Sequence, residues 1–72
     1  MNKEMLLKQF GKNVKIERIK KDLTREKLAE IMNVSVNYLS SIECGRANMS
    51  LGKILELSKY LETDIANLLM FK

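Results

Sequence analysis

The chain has 72 residues, a net charge of +4 and an isoelectric point near 9.4, with 46% hydrophobic and 31% charged residues. It contains one cysteine and no histidine, proline or tryptophan. That length allows one small domain near the lower limit of what a single core can hold, and the apolar share argues against a disordered chain. Without histidine the commonest general base and metal ligand is missing, and with only Cys44 as a thiol there is no zinc ligand set and no internal disulfide. No enzyme activity, metal or cofactor is therefore expected. No apolar run reaches the roughly 18 residues of a membrane span, and no signal peptide opens the chain. Together with the lone thiol, this fits the cytoplasm.

The elements follow from cap residues and apolar spacing. A first helix is predicted from about Lys3 to Lys21, with Leu7, Phe10 and Val14 on one stripe and Ile16, Ile19 and Leu23 beside it. Thr24 is the N-cap of a second helix that ends at Met32, and Lys27 stands where a capping box would place glutamate. Asn33 follows, a residue that tolerates the left-handed conformation. Ser35 caps a third helix that ends at Cys44, with Gly45 just beyond it. Ser50 caps a fourth helix from Leu51 to about Leu61, whose apolar face is Ile54, Leu55, Leu57 and Leu61. A last short helix begins after Thr63 or Asp64 and carries Ile65, Leu68 and Leu69. The expectation is an all-α, compact five-helix domain spanning residues 1–72, with no linker, repeat or strand.

Charge is uneven along this plan. Residues 1–27 carry a net +5 and the remainder a net −1. A basic N-terminal third suits a polyanionic partner, though a lysine-rich helical surface would look the same.

The segment Arg25 to Cys44, REKLAEIMNVSVNYLSSIEC, is the most informative part of the chain. Two short amphipathic helices are joined by a tight turn, with Leu28, Met32, Val34, Leu39 and Ile42 apolar. Ala29 stands where the helices would cross closely, and Asn33 where the chain must turn. A helix-turn-helix that reads the DNA major groove needs this arrangement, the first helix bracing the second. Because Leu39 and Ile42 must face the core, positions 36, 37, 40 and 41 point the other way. Asn37 offers a bidentate contact to adenine, and Val36 an apolar contact to a thymine methyl.

Phe10-Gly11, Arg18, LTREKLAE (Leu23–Glu30), NVSVNYLSSIECG (Asn33–Gly45) and the terminal Ser50-Leu51…Leu61…Asp64-Ile65…Leu68-Leu69 pattern together resemble the Cro and lambda-repressor-like helix-turn-helix family, also called the XRE family. The resemblance covers about residues 10–70. It implies a structural ion pair between Arg18 and Glu43, and a phosphate contact from Arg25, where the family most often has glutamine. It also implies base readout by Val36, Asn37, Tyr38 and Ser41, with Ser40 at the groove edge. Ser35 serves first as a cap and only second as a phosphate donor. Tyr38 has an equal alternative, filling a gap against the second helix. Arg46 matches a backbone-contacting position, with a solvated loop cation as its alternative.

Four departures from the family pattern stand out. Asn33 and Asp22 replace frequent glycines, Met49 replaces a usual proline, and Glu17 fills an often apolar place for which Ile16 and Ile19 would compensate. The third helix also lacks glutamine and arginine, which shifts weight from base contacts to DNA shape.

What the resemblance implies is a sequence-specific transcriptional regulator bound to double-stranded operator DNA as a homodimer. Repression by occlusion and contact with polymerase both stay open. The apolar C-terminal residues Ile65, Ala66, Leu69, Met70 and Phe71 are the expected dimer surface, and covering the base of the first and fourth helices is their alternative. The rival is a protein-interaction module, such as an anti-repressor or an antitoxin paired with a toxin. Its working surface would be Met5, Leu6 and Leu7 or the C-terminal LLMF patch.

Overall fold

A computed structural model describes residues 1–71. Among these residues the chain is all α-helical, with five helices and no strand: α1 (Lys3–Lys20), α2 (Arg25–Met32), α3 (Val36–Glu43), α4 (Leu51–Tyr60) and α5 (Ile65–Leu68). Four of the five starts are closed by a side chain. Asn2 accepts from the Met5 amide, Thr24 from Lys27, Ser35 from Tyr38 and Ser50 from Lys53, at 2.9–3.2 Å. Each such bond satisfies a donor that the helix cannot satisfy internally. The N-cap residue of α5, Asp64, makes no such bond.

The inward stripe of α1 is Phe10, Gly11, Asn13, Val14, Glu17 and Arg18, a helical spacing that brings polar groups into the interior. Ile16 and Ile19, expected to share the apolar face, are exposed instead. Ile16 lies two residues from Val14, which turns it to the far side of the helix. It therefore does not compensate for Glu17, which is itself buried and bonded to Lys20 at 3.2 Å. Leu55 is likewise exposed. Its expected place is taken by Ser58, buried on α4 with its hydroxyl donating to the Leu55 carbonyl at 2.6 Å.

Val14, Leu28, Leu39, Ile42, Leu57, Leu61 and Leu68 are wholly buried and make the centre of the core, flanked by Phe10, Ala29 and Ile54. Every helix contributes to it. α3 packs on α1 and α2, while α5 packs on α1 and α4. α1 meets α3 closely at Gly11. A Cβ at Gly11 would collide with the backbone carbonyl of Ile42 and stand 2.6 Å from that of Glu43. Only glycine lets the two helices meet so tightly.

Candidate nucleic-acid interface

The turn between α2 and α3 is set by Asn33, whose φ of 58° and ψ of 46° are left-handed. In that conformation the amides of Asn33 and Val34 reach back to the carbonyls of Glu30 and Ala29, at 3.1 and 3.0 Å, and close the end of α2. Ala29, almost fully buried, adds nothing that would hold the helices apart. Ser35 then starts α3 at once.

On α3, Leu39 and Ile42 are buried, Val36 is half-buried against the core, and Asn37 and Tyr38 are exposed. Ser40 and Ser41 are half-buried. The Ser41 hydroxyl donates to the Tyr38 carbonyl at 2.6 Å, so toward a ligand it acts as an acceptor. Tyr38, 40% exposed, stands at the rim of a depression of about 260 Å³ shared with Met32, Val34, Met49, Leu57 and Tyr60. It thus borders both the gap beside α2 and the outward face of α3. On that outward face Asn37 is exposed, and Val36, Ser40 and Ser41 are partly so.

Behind it lies a three-residue charge cluster. Arg18 binds Glu43 through two bonds, Nε to Oε2 at 2.7 Å and Nη2 to Oε1 at 3.2 Å, and its Nη1 donates to the Leu23 carbonyl at 2.7 Å. Arg25 donates from Nε to the same Oε1 at 3.0 Å. The side chains are 9% exposed for Arg18, 1% for Glu43 and 39% for Arg25. The hydrogen bond and the charge of Glu43 raise the pKa of Arg25 above the ordinary arginine value. Sequence reasoning paired Arg18 with Glu43 and sent Arg25 outward; the second arginine on the same carboxylate escaped it. The i+3 and i+4 rules do not reach across 18 residues, and only the fold brings the start of α2 to the end of α3.

Beyond α3, Gly45 at φ 79° presses against the backbone of Lys8. The amides of Arg46 and Ala47 both donate to the Ser41 carbonyl, at 2.8 and 3.2 Å. Arg46 is therefore an exposed cation on an anchored loop.

The C-terminal residues do not form one patch. Leu69 and Phe71, half-buried, line an apolar groove of about 220 Å³ with Leu6, Phe10, Leu51 and Ile54. Met70 is exposed beside Ile16, Asn67 and Asn13 in a separate depression. Ala66 is exposed and Ile65 packs partly on the core. The segment is tied down by Asn13, an unanticipated interior residue whose side-chain amide donates to the carbonyls of Leu68 and Met70, both at 3.0 Å. Nothing in the sequence marked Asn13, because a polar residue on an apolar stripe looks like an interruption until its partners are known.

Among the described residues no cluster of His, Cys, Asp or Glu could hold a metal, and no helix is long and apolar enough to cross a membrane.

Comparison with known proteins agrees with this geometry. The Helix-turn-helix family profile matches residues 14–68. The crystal structure of the restriction-modification controller protein C.AhdI from Aeromonas hydrophila is 32% identical, with a TM-score of 0.79 over 86% of this chain and 94% of that one. The structure of the hypothetical transcription factor NHTF from Neisseria shares the fold, with a TM-score of 0.84 at 24% identity over 97% of this chain and 80% of that one. No curated protein matches significantly. With the turn at Asn33, the outward α3 and a profile match over most of its length, the chain belongs to the helix-turn-helix family in its Cro and lambda-repressor-like form.

Proposed function

We propose that this protein is a sequence-specific DNA-binding regulator of transcription that inserts α3 into the major groove and acts as a symmetric dimer, with repression by occlusion its simplest mode. The observation that carries this is the division of α3. Leu39 and Ile42 are wholly buried while Asn37 is exposed on the opposite side and Tyr38 stands on the flank. A helix anchored on one face and polar on the other is what groove insertion requires. The likeness to a restriction-modification controller protein supports a regulatory role.

In this scheme Asn37 pairs with adenine N6 and N7, the outer edge of Val36 meets a thymine methyl, and Ser41 accepts from a base amino group. Arg25 and Arg46 hold phosphates on either side of α3, with Ser35 and Ser40 assisting at the groove edge. One helix makes few contacts, so two copies are needed on half-sites about 34 Å apart. The C-terminal residues supply pairing contacts on two faces, Leu69 and Phe71 in the apolar groove and the exposed Met70 beside Asn67, with Ala66 exposed and Ile65 half-buried.

The test is the salt dependence of binding to duplex DNA. Each phosphate contact contributes about −0.9 to the log–log slope, so several contacts predict a steep fall in affinity. Flat or undetectable binding would refute the proposal. It would favour instead a protein-interaction module of the antitoxin or anti-repressor kind, docking through the groove between Leu6, Leu51 and Phe71.

A further inference from the structure

We propose that Glu43 is a positioning residue for DNA binding: one of its carboxylate oxygens, fixed from the buried side by Arg18, aims the Arg25 guanidinium at a backbone phosphate beside the start of α2. This rests on the DNA-binding function proposed above and assigns Glu43 a role beyond the scaffold.

Two guanidiniums share one carboxylate, so the cluster carries a net positive charge. Arg18 and Glu43 are almost completely enclosed, and Arg25 alone is substantially exposed. The uncompensated charge therefore sits at the outer member. Arg25 commits its Nε to Glu43, which leaves the edge formed by its two Nη groups. That edge is a second planar fork, suited to a phosphate. A free arginine on a helix start samples many rotamers and loses that freedom on binding; here Glu43 restricts it before DNA arrives. Arg25 is also the first residue of α2, where unpaired backbone amides favour the same anion.

The experiment measures affinity for a mixed-sequence duplex against salt concentration. The proteins compared are the wild type, Arg25→Gln, Arg25→Lys, Glu43→Gln and the Arg25→Gln/Glu43→Gln double variant, each held below its own melting temperature. Arg25→Gln should reduce the magnitude of the slope by about 0.9. Arg25→Lys should bind about three- to tenfold more weakly than wild type although the charge is kept, because an ammonium lacks the second fork. Glu43→Gln should weaken binding by a similar factor in the wild type and by almost none in the Arg25→Gln background.

Wild-type affinity in Arg25→Lys, or an equal penalty from Glu43→Gln in both backgrounds, would overturn the positioning role and leave the phosphate contact standing. An unchanged slope in Arg25→Gln would remove the contact itself. Should Glu43→Gln fail to fold, Glu43→Asp, which keeps the charge but shortens the reach to Arg25, takes its place in both backgrounds with the same expected pattern.

Discussion

Gly11→Ala is the sharpest test of how α1 and α3 hold together, because the same substitution at Gly52 should act in the opposite direction. An alanine Cβ at position 11 would stand 2.6 Å from the Glu43 carbonyl oxygen and 2.9 Å from its carbon. Ordinary carbon–oxygen contact begins near 3.4 Å and the Ile42 carbonyl oxygen is nearer still, so the two helices must part by about 1 Å. A radial gap of that size forfeits roughly a quarter to a half of each dispersion contact across it. Phe10, Val14 and Ile42 lie along that seam. Overpacking costs about 1–3 kcal/mol, and the upper end applies here because the obstacle is backbone that no rotamer change can move aside. Helix propensity returns about 1 kcal/mol on replacing glycine by alanine, leaving a net loss near 2 kcal/mol. For a domain of this size that lowers Tm by about 8–16 °C. At Gly52 a Cβ meets nothing within 4 Å, so only a propensity gain remains, smaller than in a helix interior because Gly52 is the second residue of α4, and Tm should rise by about 2–4 °C. Thermal unfolding followed by circular dichroism reads both. A Gly11→Ala protein as stable as wild type would mean that α1 and α3 do not approach as closely as described, and that the cluster at Glu43 is held by something else.

The other expectations concern the reading face, the chain end and one turn. Asn37→Ala should relax base preference at a single operator position by about 1–3 kcal/mol, measured by selection from random duplexes before and after substitution; an equal loss on all sequences would take Asn37 out of base readout. Asn13→Ala should remove both bonds to the Leu68 and Met70 carbonyls, at about 1–3 kcal/mol. Amide exchange should then accelerate in α5 ahead of α2, and uniform acceleration would show that the tie is not local. Gly45→Ala should destabilise by about 2–3 kcal/mol in urea unfolding, since it combines a left-handed φ of 79° with a Cβ 2.7 Å from the Lys8 Cα. Gly45→Asn tolerates the φ but not the crowding, so complete rescue by asparagine would remove the steric part of the explanation.

The sequence disclosed most where local rules and burial agreed. Thr24, Ser35 and Ser50 each stand at a helix start and each caps it. Leu28, Leu39 and Ile42 recur at core spacing and are wholly buried. The turn at Asn33 was legible because few residues accept its backbone angles. What could not be read was polar burial. Asn13 and Glu17 occupy inward positions of α1, and periodicity alone hands such places to neighbours like Ile16. Arg25 was visible as a cation but not as a partner of Glu43, since that contact depends on the crossing of three helices. The apolar C-terminal residues suggested one surface; the backbone of α5 divides them between two.

Three corners of this fold, at Asp22, Asn33 and Glu62, take left-handed backbone angles without glycine, and a Lys21–Glu62 ion pair at 3.7 Å links the first to the last. A left-handed conformation costs an ordinary L-residue roughly 1–2 kcal/mol, less for asparagine or aspartate. The domain therefore holds an unused reserve, largest at Glu62, that glycine would release against a smaller penalty from a looser unfolded chain. None of the three side chains belongs to the outward face of α3. The molecule can thus be hardened against heat at its bends while its recognition surface keeps every atom.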